Sequence, residues 1–99
     1  MWRVVFSFRV RDDVADAAIW YEGKQIDLGR AFIDEIVQVW RELAENPHLA
    51  ARKHPSKNLR WRYPHRFPYR IIYEVDELNR TILVFAVVHA SQNDSAWRA

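Results

Sequence analysis

The sequence predicts an α+β fold, order β-α-α-β-β-β, with a helical hairpin covering one face of a mostly antiparallel sheet. Three observations predict it. A short strand signal opens the chain, two stretches with helical apolar spacing follow, and three strand signals separated by turns close it. The 99 residues, 49% of them hydrophobic, suffice for one core and not for two, so residues 1–99 are read as one domain.

Each element has its own warrant. Residues 2–8, Trp2-Arg3-Val4-Val5-Phe6-Ser7-Phe8, are rich in β-branched and aromatic side chains and read as a strand. Asp12 or Asp13 offers an N-cap, and Val14, Ala17, Ala18 and Tyr21 follow at helical spacing up to Gly23. Asp27 is a second N-cap candidate. Beyond it Leu28, Phe32, Ile36, Trp40 and Leu43 form one stripe, flanked by Ile33, Val37 and Val39, and Asn46-Pro47 ends the helix. Residues 48–56 read as a connecting loop. In residues 58–63 strict alternation places Leu59, Trp61 and Tyr63 on one face and Arg60 and Arg62 on the other. Residues 67–75 form a strand, residues 76–79 a turn, and residues 81–89 a nearly unbroken apolar run. Such a run suits a central strand covered on both faces, and the first strand is expected to pair alongside it.

Composition excludes several chemistries. There is no cysteine, so disulfides and thiolate metal sites are out, and a reducing cytoplasm is the expected compartment. No apolar run approaches the ~18 residues of a membrane span, and no signal-peptide pattern opens the chain. His48, His54, His65 and His89 lack metal-ligand spacing, and Gly23 and Gly29 cannot build a nucleotide-binding loop. Neither a metal nor a cofactor is expected.

Charge is uneven. Residues 46–73 contain no acid and hold Arg52, Lys53, Lys57, Arg60, Arg62, Arg66 and Arg70, so one central block carries the positive excess behind the net charge of +2. Such a block attracts an acidic partner, either nucleic acid or an acidic protein segment. Within it arginines and aromatics interleave from Arg60 to Arg70: a charged strand face can neutralise phosphates while rings offer stacking platforms. The rings of Trp61, Tyr63 and Tyr69 are read as core-facing, and the arginines, with no acid nearby in sequence, as a binding surface. His89 ends the last strand, where a histidine is a structural hydrogen-bonding group or a titratable catalytic one, the structural role being the expectation. Trp97 is expected to pin the tail onto the domain.

These residues resemble the RelE/ParE family of toxins from type II toxin–antitoxin systems. The resemblance rests on Arg66-Phe67-Pro68-Tyr69-Arg70-Ile71-Ile72-Tyr73, on the strand ending in His89, and on Trp97. Trp20-Tyr21-Glu22, Leu28-Gly29-Arg30-Ala31-Phe32 and Leu43-Ala44-Glu45-Asn46-Pro47 extend it over the helices. The motif is closer to the ParE-type, plasmid-stabilisation branch. The resemblance implies a cytoplasmic toxin without a cofactor, neutralised by a cognate antitoxin, inhibiting DNA gyrase and reaching operator DNA only through that antitoxin. It also implies a target- or antitoxin-binding surface of Arg60, Arg62, Arg66, Tyr69, Arg70, His89, Gln92 and Trp97. The alternative within the family is a RelE-like ribosome-dependent mRNA endoribonuclease, for which His89 with Arg60, Arg66 and Arg70 is the available set. Gln92 stands where the family commonly has arginine after the histidine, and an attenuated toxin that only binds its antitoxin is the third reading.

Overall fold

The computed structural model describes residues 1–92, and Trp97 lies outside them. In chain order the elements are β1 (Arg3–Phe6), α1 (Val10–Lys24), α2 (Leu28–Glu45), β2 (Arg52–Lys53), β3 (Arg60–Arg62), β4 (Tyr69–Asp76) and β5 (Thr81–His89). The strands form one sheet in the order β1-β5-β4-β3-β2, with β1 parallel to β5 and every other pair antiparallel. Both helices pack on one face, so the predicted α+β layering and the pairing of the first strand beside the last are found. The two-residue strand β2 falls inside the segment read as a loop; Arg52 and Lys53 are exposed and carry no apolar pattern from which a strand could be read.

The core lies between the helices and one sheet face. Phe32, Ile36, Val39 and Leu43 of α2 meet Ile71, Tyr73, Val75, Ile82, Val84 and Val87 of the sheet. A smaller cluster of Ile72, Ala86 and Val88 covers the opposite face, with Leu59, Trp61 and Phe85 packed against it. The long apolar run of β5 thus has apolar contact on both sides. It also contains a feature that alternation cannot show. The register steps from Ile72↔Ala86 to Tyr73↔Val84, so Phe85 is an extra residue in β5 and the strand bulges there. The bulge shifts the inward phase from Ile82 and Val84 to Val87, which is why Ala86, Val87 and Val88 are buried in succession. Tyr73, fully buried on β4, donates its hydroxyl to Pro47 O at 2.6 Å and ties the end of α2 to the sheet. Burial pushes its pKa up to about 12, which keeps the phenol a donor.

Helix starts differ from expectation. α1 begins at Val10, leaving Asp12 and Asp13 inside its first turn, where carboxylates favour the helix dipole. Asp27 does occupy the N-cap of α2, but with φ +69° and no side-chain cap. The cap comes from Glu22 of α1, whose carboxylate accepts from Asp27 N at 2.9 Å and Gly29 N at 3.0 Å. The hairpin is therefore stitched at its turn by one side chain. It is also tight there: a Cβ on Gly29 would stand 2.5 Å from Ala18 O, whereas one on Gly23 meets open space. Gly29→Ala is predicted to lower stability by about 1–3 kcal/mol, while Gly23→Ala is neutral or stabilising. Urea unfolding of the two variants checks this; equal midpoints would show that the hairpin is not closely packed at Gly29.

Candidate functional site

The site arises from the shortness of β1. Its four residues pair with Thr81 to Val84 of β5, and on that edge no strand among the described residues continues beside the second half of β5, which pairs only with β4 on its other side. Side chains satisfy that bare edge instead. Ser7 Oγ donates to Phe85 O at 2.6 Å, and Asp13 Oδ2 accepts from Val87 N at 2.9 Å. Asp13 also takes an ion pair from Arg9 at 3.1 Å. A buried backbone N–H needs an acceptor, and Asp13 supplies it from the first turn of α1.

Between α1 and this edge runs an open groove of about 420 Å³, lined by Arg9, Asp13, Asp16, Trp20, Tyr69, His89 and Gln92 among others. Tyr69 forms its floor. Its ring packs edge-on against Phe32 at 5.1 Å and His89 at 5.3 Å, and burial raises its pKa. Burial, followed by the neighbouring Tyr69, does the same to Tyr21 behind it. His89 Nδ1 accepts the backbone N–H of Ser91 at 3.0 Å and lies 2.7 Å from Ser91 Oγ. A backbone N–H can only donate, so Nδ1 is the acceptor in this contact.

The arginines predicted as one binding face are dispersed. β3 does alternate, but Arg60 and Arg62 lie opposite Tyr73 and Ile71, on the face under the helices. Arg62 is 7% exposed and pairs with Glu42 of α2 at 2.5 Å. Its placement on a free positive surface is therefore corrected: the missing acid comes from α2, which sequence distance conceals. Arg60 is half-buried beside it, with its Nε buried and lacking a hydrogen-bond partner among the described residues. Arg66 remains exposed, yet both its backbone N–H, at 2.9 Å, and its Nε, at 2.5 Å, donate to Glu35 of α2. Arg70 leaves the opposite sheet face from Tyr69, and its guanidinium donates to the backbone oxygen of Gln92. Of the rings, Trp61 packs on the outer apolar cluster, whereas Tyr63 is 41% exposed, beyond the end of β3 and near Arg52, rather than core-facing. Among the described residues of the predicted set, Tyr69, His89 and Gln92 come together in the groove.

Sequence reasoning missed Arg9, Asp13, Asp16 and Trp20. One signal was present: Ile19 and Trp20 fall outside the stripe of Val14, Ala17, Ala18 and Tyr21, and they are 71% and 57% exposed. Large apolar side chains on the wrong side of a helix mark a surface that meets something else. Among the described residues there is no cluster of metal-ligating side chains, and no helix is long and apolar enough to cross a membrane.

Comparison with known proteins sets this geometry in a family. Residues 4–94 match the model of the ParE toxin of the type II toxin–antitoxin system, parDE. The chain belongs to the ParE toxin family. It is a toxin of a type II toxin–antitoxin system, within the RelE/ParE group. Solved structures share the fold at low identity. The chromosomal ParDE toxin–antitoxin system of Pseudomonas aeruginosa aligns at 15% identity and TM-score 0.76, covering 92% of this chain and 98% of that one. The intact Escherichia coli RelBE complex aligns at 16% and 0.69, covering 93% and 100%. The isolated E. coli RelE toxin aligns at 15% and 0.68, covering 97% and 92%. A search of curated proteins gives no match.

Two predictions follow from the pairing of this toxin's arginines with α2. Burial alone would raise the Glu35 carboxyl, but hydrogen bonds from Arg66 hold it below the usual range; Arg62 and then Gln38 do the same for Glu42. A depressed folded pKa gives stability that is present above the unfolded value and lost as pH falls through the folded one. Stability is therefore expected to fall below about pH 4.5, and less steeply in the Glu35→Gln/Glu42→Gln double variant; parallel pH curves would refute the linkage. Separately, Glu42→Leu strands a buried guanidinium and is expected to cost about 3–5 kcal/mol, whereas Arg62→Met leaves only a partly exposed carboxylate and costs far less. Denaturant midpoints decide; the reverse order would mean that Arg62 is not the desolvated partner.

Proposed function

We propose that this ParE-family toxin acts as a protein ligand that inhibits DNA gyrase in the cytoplasm, not as a ribonuclease, and that its antitoxin silences it by covering the groove beside β5. The observation that carries the reading is the separation of the ribonuclease set. His89 faces a groove shared with Asp13 and Asp16, Arg70 leaves the other sheet face, Arg60 lies under α2, and Arg66 is held by Glu35. Cleavage needs a base at the ribose 2′-hydroxyl and a cation at the scissile phosphate. Here the histidine has its Nδ1 engaged by Ser91, and Arg9, the cation among the described residues lining its groove, is already paired with Asp13.

The groove suits protein recognition better. Trp20 offers an exposed ring, Tyr69 a rigid aromatic floor, and Arg9, Asp16 and Gln92 a polar rim, the usual composition of an interface centre and its edge. The P. aeruginosa and E. coli relatives are described as toxin–antitoxin systems or complexes, which supports an antitoxin as one occupant. Contact with operator DNA would then be made by the antitoxin.

Expression without antitoxin is expected to arrest bacterial growth, leave mRNA uncut, and lose at least about tenfold of the killing on Trp20→Ala. His89→Asn, which keeps an acceptor for Ser91 but removes the imidazole, is expected to retain the arrest. In-cell transcript mapping beside colony counts checks this. Cut transcripts that vanish in His89→Asn would establish the ribonuclease instead, and absence of arrest would identify an attenuated toxin.

A further inference from the structure

The hairpin joining β2 to β3 holds a second polar site, remote in sequence from the groove. His54 N donates to Leu59 O at 2.8 Å and closes a tight loop. Inside it the backbone N–H groups of Ser56 and Lys57 both donate to one atom, His54 Nδ1, each at 3.1 Å. Two successive amides converging on a point make a concavity of the kind that takes a phosphate or carboxylate oxygen. Here the occupant is the chain's own imidazole, which accepts only through an unprotonated nitrogen.

The surroundings suit an anion. Lys53, Lys57, Ser56 and Asn58 line the same depression of about 220 Å³, and no carboxylate lines it. Lys53 and Lys57 have no ion-pair partner among the described residues. The whole stretch from residue 46 to 73 is free of acids. Of its seven basic residues, Arg62 and Arg66 are matched by carboxylates of α2, but these two lysines are not.

We propose that this loop is an oxyanion site, taking a phosphate or sulfate group, that opens when His54 is protonated. Protonation removes the lone pair holding Ser56 and Lys57, releases both N–H groups together, and adds a third positive charge beside Lys53 and Lys57. An incoming oxyanion accepts from the two amides and neutralises the cations. Anion binding and proton uptake therefore promote each other, as linkage requires. The charged groups facing His54 in the depression are those two lysines: without an anion they oppose the imidazolium, and with one bound the opposition disappears. The site is independent of the toxin reading, and its failure would leave that reading untouched. Free inorganic anions and nucleic-acid phosphates share this chemistry.

The test is an amide-resolved NMR titration of the isotope-labelled protein with sodium sulfate, at about pH 5.5 and about pH 8 and constant ionic strength. Sulfate stays divalent throughout, so a change in affinity belongs to the protein. Shifts centred on Ser56 and Lys57, with binding about tenfold tighter at the lower pH, are expected. In His54→Ala the amides are unoccupied, and sulfate is expected to bind at both pH values with that dependence lost. Equal wild-type affinity at the two pH values, or shifts centred elsewhere, overturns the proposal. A short single-stranded oligonucleotide displacing sulfate from the same amides identifies a nucleic-acid phosphate as the ligand; no displacement identifies a free anion.

Discussion

The arrangement depends on how the edge of β5 is satisfied. This strand is the spine of the sheet, with apolar contacts on both faces, but its parallel neighbour β1 ends after four residues. An apolar strand with an open edge invites pairing with other chains. The edge is closed instead by the Ser7 hydroxyl and the Asp13 carboxylate, at 2.6 and 2.9 Å. That solution fixes α1 against the sheet and opens the groove at the same time. A longer β1 would remove the groove; an apolar residue at Asp13 would leave Val87 N without its acceptor.

A second constraint acts at the other end of the sheet. α2 is amphipathic, and its Glu35 and Glu42 reach across to the arginine-rich segment, holding Arg66 and Arg62. Guanidinium groups committed in this way anchor the connection between β3 and β4 to the helix, Arg62 buried and Arg66 still exposed. Within residues 46–73, Lys53 and Lys57 have no ion-pair partner among the described residues, and they lie on β2 and its loop. The histidine end of the molecule combines aromatic rings with side chains of both charges.

The sequence disclosed elements whose signals are local. The α2 stripe, the strand run of β5 and the alternation of β3 each follow from side chains a few positions apart, and all are present in the fold. Residues 66–73 with His89 carried the family resemblance, and the family match spans residues 4–94. What stayed hidden depends on partners distant in the chain. Arg62 looked free because Glu42 lies twenty residues away, and the face it occupies was set by the register with Ile71. The Phe85 bulge was invisible because every residue around it is apolar. Asp27 had the chemistry of a cap, yet Glu22 performs it through the hairpin turn. In the site, Tyr69 and His89 were legible from the motif, whereas Asp13, Asp16 and Trp20 enter only because β1 is short.

We propose that this toxin works by binding and not by cutting. The most direct test is supercoiling of relaxed plasmid by purified DNA gyrase, with the purified toxin titrated in. Inhibition that grows with toxin concentration and is reversed by the cognate antitoxin is the predicted result. Full gyrase activity at saturating toxin, together with toxin-dependent cleavage of mRNA on translating ribosomes, would contradict it.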